Sequence, residues 1–125
     1  MHENQLAASI LDEAVKIHRE LGPGLLESVY ETILFHELKE NGLRVTQQVS
    51  IPFRYKNILL PKAFVADIVV NDLLILEIKS QKTNHEVHRM QLLSYLKISQ
   101  RKLSLLLNFG MERMMDGVSR VVNGL

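Results

Sequence analysis

The chain has 125 residues, 46% of them hydrophobic and 23% charged, and its formal net charge is +1. These values predict one globular domain over residues 1–125, with too little net charge to attract nucleic acid as a whole. The absence of cysteine excludes disulfides and thiolate metal sites and fits a cytoplasmic protein. The first residues do not resemble a signal peptide, and no apolar run approaches the roughly 20 residues of a membrane crossing, so we expect no membrane partner.

Two helices are predicted at the start of the chain. Apolar residues spaced by three or four positions indicate a helix over residues 5–21, which ends at Gly22-Pro-Gly. A second helix is predicted from about Leu25 to Asn41, with Gly42 as its cap.

Strand-like sequence follows these helices. Alternating and β-branched residues predict a first strand, in which Pro52 indicates an edge position or a bulge. Turns are expected at Lys56-Asn57 and at Asn71-Asp72. The three predicted strands cover residues 44–55, 58–70 and 73–79.

The last third of the chain predicts a helix and a strand. Thr83 or Asn84 could cap the helix, which would run to about Ile98. The nearly continuous apolar run over 102–109 predicts a strand that is covered on both faces. The tail from residue 111 could pack as a helix or as a strand. The predicted order is α-α-β-β-β-α-β, a mixed sheet with helices against it.

Two acids and a lysine interrupt the apolar second and third strands. Asp67 lies in the second strand, and Glu77 and Lys79 lie two residues apart on the third, so these two project from one face. Burying charge is costly unless it is paired, hydrogen-bonded or metal-bound. A carboxylate pair can hold a divalent cation, and a nearby lysine can stabilise charge that develops on a phosphate.

The loop between these strands decides whether Asp67 joins Glu77. A two-residue loop would place Asp67 opposite Leu76, on the wrong face, whereas a three-residue loop over residues 71–73 would place it opposite Glu77. Directly opposed residues have Cβ atoms ~4.5–5.5 Å apart, which lets two carboxylates share a cation. Spacing alone leaves a second interpretation equally open, in which the charges form surface salt bridges on a half-exposed hairpin.

Polar residues on the helices are further candidates. His88, Gln91 and Tyr95 share one face of the third helix, where Gln91 and Tyr95 could hydrogen-bond a water or a phosphate. The alternative is an ordinary amphipathic helix with these two residues at the margin of its apolar stripe. Glu27 borders the apolar face of the second helix, where its ordinary role is an acid in the first turn. His18 is similarly ambiguous.

Several motifs follow one another along the chain. They are Leu21-Gly-Pro-Gly-Leu-Leu-Glu27 with Ser-Val-Tyr30, then Asp67, Glu77-Ile-Lys79, His88-Arg-Met-Gln91-Leu-Leu-Ser-Tyr95-Leu and Leu107-Asn-Phe-Gly110. In this order they resemble the GxxExxY family, a branch of the PD-(D/E)xK nuclease superfamily, and the resemblance runs from about residue 18 to residue 123. It implies an α/β (α+β mixed), restriction-endonuclease-like fold with a central four-stranded mixed β-sheet flanked by helices.

The resemblance also implies roles for individual residues. Asp67 and Glu77 would bind Mg²⁺ or Mn²⁺ together with the backbone carbonyl of Ile78, and Lys79 would be the catalytic lysine. Gln91 and Glu27 would complete the catalytic set by orienting water, phosphate or a second metal. The supporting residues would be His88, Tyr95 and His18.

The resulting hypothesis is a Mg²⁺-dependent nuclease that hydrolyses phosphodiester bonds in DNA, or in RNA as the less favoured substrate. The alternative is a catalytically silent module that binds nucleic acid or takes part in an assembly, which the near-neutral charge favours. The sparse cations predict weak binding by one chain, so a homodimer or a larger complex is a candidate partner. Candidates for contacts with the nucleic-acid backbone are Arg54, Lys56, Lys62, Lys82, Arg89 and Lys97.

Overall fold

The computed structural model describes residues 1–125 and contains three α-helices and five β-strands. The helices are α1 (Glu3–Leu21), α2 (Glu27–Glu40) and α3 (Glu86–Ser99). The strands are β1 (Val45–Tyr55), β2 (Ile58–Val70), β3 (Leu74–Lys79), β4 (Leu103–Asn108) and β5 (Val118–Val122). A short 3₁₀ helix, Met114–Gly117, leads into β5. No helix combines the length and apolar character that a membrane crossing requires.

The ends of the helices follow the local sequence only in part. At the end of α2, Gly42 adopts a φ of 86°, and its N–H donates to the carbonyl of Lys39 while the next N–H donates to that of Leu38. This is the glycine cap predicted from the sequence. The predicted cap of α3 is wrong, because the N-cap is His85, which makes no side-chain capping bond. Asn84 instead donates to the carbonyl of Asp116, 2.9 Å away.

The sheet is mixed, with the strand order β1-β2-β3-β4-β5. Only β3 and β4 are parallel, as expected for two strands joined by a crossover helix. The prediction of four strands and of an order ending in β4 is wrong, because the sheet has five strands and the tail adds β5 antiparallel to β4. The inference from Pro52 is confirmed, since β1 is an edge strand and its register with β2 shifts between Ile51 and Phe53.

Helices cover both faces of the sheet. On one face α1 and α2 pack on the even-numbered residues of β3, Leu74, Leu76 and Ile78, all fully buried. On the other face α3 packs on Ile75 and on Leu106 of β4. Burial on both faces explains the near-continuous apolar character of β3 and β4. A charged side chain on β3 therefore has largely apolar neighbours.

Strand β2 separates from β3 after a short ladder. Their pairing covers only residues 68–70 of β2, whereas β3 remains paired with β4 as far as Lys79. Beyond the ladder, β2 pairs with β1 alone. The two strands therefore diverge and leave a fork between them. Asp67 is the first unpaired residue of β2 in this fork, next to the last paired residue, Ile68.

The regular alternation of β2 breaks at Asp67. Ile68 packs with the core under α1 and α2, but Ala66, two residues away, packs with the core under α3. Side chains two residues apart in a regular strand share a face, so the strand must rotate locally at Asp67. Opposite it on β1, Gln48 has a left-handed φ of 50°. This double irregularity directs the Asp67 side chain into the fork.

Candidate active site

The loop between β2 and β3 has the odd length that the site hypothesis requires. Val70 pairs with Leu74, so residues 71–73 form a three-residue loop and the register brings Asp67 level with Glu77. Asn71 and Asp72 have left-handed φ values of 52° and 56°, which Asn and Asp tolerate better than most residues. The predicted register is therefore confirmed.

The two acids replace backbone pairing in the fork. The N–H of Ile78 donates to Asp67 Oδ2 at 2.8 Å, and the N–H of Asp67 donates to Glu77 Oε1 at 3.4 Å. Both carboxylates thus lie between the separating strands, partly buried. Because the N–H and C=O of one strand residue point to the same edge, the carbonyl of Ile78 also lies on the side of Asp67.

Glu77 forms no ion pair, although the charge of Lys79 is near enough to oppose part of the rise in its pKa. The four ion pairs of the protein all lie elsewhere, and neither Glu77 nor Asp67 is within salt-bridge distance of Lys79. Burial, followed by the charge of Asp67, raises the pKa of Glu77 to about 9. The structure therefore does not contain the surface salt bridges of the alternative interpretation. The acids form a partly buried pair in which burial and the charge of Asp67 disfavour ionisation of Glu77.

Helix α3 forms a small cavity of about 100 Å³ with strand residues that include Glu77 and Lys79. Glu77, Lys79, His88, Gln91 and Tyr95 all line it. Burial, followed by the charges of Lys79 and a neighbouring histidine, lowers the pKa of His88, whereas burial and then Glu77 raise that of Tyr95. The structure thus brings Glu77 and Lys79 together with the three helix residues that the sequence singled out, whereas Asp67 does not line the cavity and adjoins it through Glu77.

A stacked pair of aromatic rings holds α3 against β2 at this cavity. The rings of Tyr95 and Phe64 are stacked, with their centroids 3.9 Å apart and their planes nearly parallel, at 3°. Tyr95 therefore packs on Phe64 and also lines the cavity. The two roles considered for it from sequence are compatible.

Two residues near Asp67 were not predicted. Gln48 Nε2 donates to Glu31 at 3.0 Å and to Asp67 Oδ1 at 3.4 Å, so it bridges the two acids. Burial raises the pKa of Glu31, and Asp67 and Glu27 raise it further, against the hydrogen bonds from Gln48 and Gln47. The one available signal was that Glu31 lies one helical turn after Glu27 on the same face. Nothing in the sequence indicated Gln48.

Asp67 and Glu77, with Gln48 and Glu31 and the cavity residues Lys79, His88, Gln91 and Tyr95, are called the acid cluster below. Glu27 and His18 lie outside it. Glu27 is exposed as the first residue of α2, although Ser80 Oγ, just after β3, donates to the carbonyl of Leu25 at 2.6 Å and so holds this helix end beside the site. His18 is buried on α1 and its Nε2 lies 2.8 Å from the carbonyl oxygen of Met111. His18 lines a separate cavity of about 580 Å³ and is not part of the acid cluster.

The candidate cations are all exposed and fall into two groups. Arg54, Lys56 and Lys62 lie on the hairpin formed by β1 and β2. The other three lie after β3 or on α3, and they are Lys82, Arg89 and Lys97.

The buried side chain of Asn108 fixes the loop that joins the site strand to the site helix. Its Oδ1 accepts from the N–H groups of Gln81 and Gly110, at 2.9 and 3.1 Å. Its Nδ2 donates to the carbonyl of Thr83 and to the side chain of Asn84. A Cβ at Gly110 would collide with the backbone of Gln81, so only glycine fits. These contacts set the position of Lys79 relative to α3.

The donor atoms of the fork suit a hydrated magnesium or manganese ion. They are carboxylate and carbonyl oxygens, the ligands that hard divalent cations prefer. No three His, Cys, Asp or Glu side chains are close enough to hold a metal by themselves. Mg²⁺ commonly keeps several waters and uses only one or two carboxylates, whereas a structural zinc site needs a complete protein ligand set. Asp67 and Glu77 fit the first pattern.

Comparison with known proteins agrees with this geometry. No curated protein and no solved structure matches the chain significantly. Residues 4–121 match the family model described as the PD-(D/E)XK nuclease superfamily, a match that includes every residue of the acid cluster and of α3. Restriction-endonuclease-like folds and divalent metals are general features of this superfamily. The chain therefore belongs to the PD-(D/E)XK nuclease superfamily.

Proposed function

We propose that this protein is a Mg²⁺- or Mn²⁺-dependent nuclease of the GxxExxY branch, and that residues 1–125 act as one nuclease domain. One observation carries the proposal. Asp67 and Glu77 share a partly buried fork in which neither forms an ion pair, and the charge of the nearby Lys79 does not offset the effect of burial on Glu77. A buried acid pair without a partner costs stability, so its retention is best explained by a cation that binds there during function.

Each residue proposed for catalysis has a role, and Glu27 is included although it lies outside the acid cluster. Asp67, Glu77 and the carbonyl of Ile78 hold the cation, which would lower the pKa of a bound water and neutralise the phosphate. Lys79 stabilises charge that develops on the phosphoryl oxygens. Gln91 orients the attacking water or the phosphate by its amide, and Glu27 is the helix acid that would assist it. The catalytic set is thus Asp67, Glu77, Lys79, Gln91 and Glu27.

Four neighbouring residues, Tyr95, His88, Gln48 and Glu31, support these five. Tyr95 and His88 line the cavity from α3 and can hydrogen-bond a phosphate oxygen. Gln48 donates to Asp67 from β1, and Glu31 on α2 accepts from the same amide group of Gln48. The substrate we favour is DNA over RNA, in the cytoplasm, with a homodimer or larger complex to compensate for the small net charge.

Calorimetric titration of Mg²⁺ and Mn²⁺ tests the metal site. We expect binding to the wild type and loss of that binding in Asp67→Ala. Asp12→Ala, which removes an exposed acid of α1, is the matched control and should bind as the wild type does. Equal binding in the wild type and in Asp67→Ala, or no binding in either, would favour the catalytically silent module instead.

A further inference from the structure

The tip of the β1–β2 hairpin is not covered by any other element. Residues 53–62, here called the hairpin arm, are all exposed except Phe53, which is partly covered. They pair only with each other, as in Tyr55 with Ile58 and Arg54 with Leu59. The arm therefore projects from the sheet as a two-stranded ribbon. An isolated ribbon of this kind has little stability of its own, so contacts to a partner are expected.

The hairpin arm is apolar on both faces. Tyr55, Ile58, Leu59 and Leu60 are between 43% and 57% exposed. Ile58 and Leu60 share one face, whereas Leu59 lies on the other. Adjacent exposed apolar side chains of this size mark an interaction site more often than an ordinary surface.

The hairpin arm is also strongly basic for a nearly neutral protein. It carries Arg54, Lys56 and Lys62, and no acid occurs between Glu40 and Asp67. None of the three cations forms an ion pair. The Lys56 ammonium lies only over the Tyr55 ring, 5.4 Å from its centroid. The positive charge is therefore available to a polyanionic partner.

The hairpin arm leads directly into the acid pair. Asp67 lies five positions after Lys62 along β2, which at ~3.3 Å per residue is about 17 Å. Val65, between them, lines the small cavity with Glu77 and Lys79. A duplex rises ~3.4 Å per base pair, so this distance corresponds to about five base pairs.

One partner explains both the charge and the apolar residues. Arg and Lys side chains contact phosphates, and Leu, Ile and Pro side chains on protruding elements insert between base pairs in the minor groove and bend the duplex. We propose that the hairpin arm docks in the minor groove of double-stranded DNA and that Ile58, at its tip, inserts between base pairs. At ~3.3 Å per residue, Lys62 would then lie about five base pairs and Ile58 about nine base pairs from the bond that is cut. The choice of DNA rests on the proposed function.

Binding to a duplex of about 25 base pairs without metal tests the charge contacts. The variant Arg54→Gln, Lys56→Gln, Lys62→Gln should bind roughly 100-fold more weakly near 0.1 M salt. Its salt slope should fall by about 2.7, at roughly 0.9 per phosphate contact. The control variant is Lys16→Gln, Arg19→Gln, Lys39→Gln, which removes the same charge from α1 and α2. Equal losses in the two variants would overturn the proposal.

Duplex bending tests the apolar insertion. Energy transfer between dyes at the two ends of the duplex should rise on binding of the wild type and not of Ile58→Ser, Leu59→Ser, whereas this variant should keep the wild-type salt slope. No change in energy transfer with the wild type would overturn the insertion. A wild-type dimer that Ile58→Ser, Leu59→Ser dissociates, with DNA bending intact, would instead assign the hairpin arm to a second copy of the chain.

The two proposals can fail separately. Asp67→Asn should lose cleavage and keep metal-free duplex binding, whereas the arm variants should lose that binding. A wild type that binds and bends DNA through the arm but never cuts it would refute the nuclease and leave the arm proposal standing. If the wild type cuts DNA and the arm variants bind the duplex as tightly as the wild type, the arm proposal is refuted and the nuclease proposal stands.

Discussion

Replacing Glu77 by glutamine should stabilise the protein at neutral pH in the absence of metal. Burial and the charge of Asp67 raise the pKa of Glu77 from 4.5 to about 9. The folded protein therefore retains a proton that the unfolded chain loses above pH 4.5. The stability that this proton contributes is complete below pH 4.5 and is lost as pH rises toward 9, at about 1.4 kcal/mol per pH unit.

The size of the effect follows from that slope. Between pH 4.5 and about pH 7 the wild type should lose about 3 kcal/mol of stability at this site. Glutamine has nearly the same shape as the protonated acid and does not ionise, so Glu77→Gln should be more stable than the wild type near pH 7 by about 2–3 kcal/mol. Below about pH 4.5 the two should be similar, because both are then neutral.

Urea unfolding in a chelator, repeated across this pH range, measures the difference. Glu112→Gln is the matched control, since it neutralises an exposed acid and should change stability by less than about 0.5 kcal/mol. Added Mg²⁺ or Mn²⁺ should stabilise the wild type and not Glu77→Gln. A variant that is equal to or less stable than the wild type near pH 7 would refute the argument from burial.

Three further substitutions test the support of the site. Asn108→Ala leaves two backbone N–H groups without acceptors and should cost about 2–4 kcal/mol in chemical denaturation; a loss below about 1 kcal/mol would contradict its role. Gly110→Ala should cost more than about 2 kcal/mol, because its Cβ meets backbone, whereas the control Gly24→Ala has open space and should be nearly neutral in thermal unfolding. Tyr95→Phe should keep the stack on Phe64, and hence stability, but reduce DNA cleavage about tenfold; full activity in this variant would exclude the hydroxyl from catalysis.

The hairpin that carries the acids shows what the sequence could predict. The two apolar runs and the Asn71-Asp72 turn determine that β2 and β3 pair antiparallel. The sequence could not predict whether the loop has two or three residues, because the turn residues Asn71 and Asp72 belong to the loop in both cases. In the structure the N–H of Leu73 donates to the carbonyl of Val70 at 3.0 Å, which makes Leu73 part of the loop.

Other features depend on contacts between distant parts of the chain. Gln48 reaches Asp67 only because the alternation of both strands breaks at the same level, and Glu31 joins them from α2. Strand β5 has only five residues, too few for a periodic signal, and it forms because β4 offers a free edge. His18 shows the converse, since a histidine beside an apolar stripe proved to bond a distant backbone carbonyl.

Cleavage of DNA by Lys79→Ala tests the central claim most directly. The wild type should cut double-stranded DNA with Mg²⁺ or Mn²⁺ and lose activity in a chelator. Lys79→Ala should be slower by roughly 100-fold or more. The control Lys102→Ala, which removes an exposed lysine beside β4, should cut as the wild type does. Cleavage that survives unchanged in Lys79→Ala, or a wild type that cuts no nucleic acid with either metal, would contradict the assignment of this site.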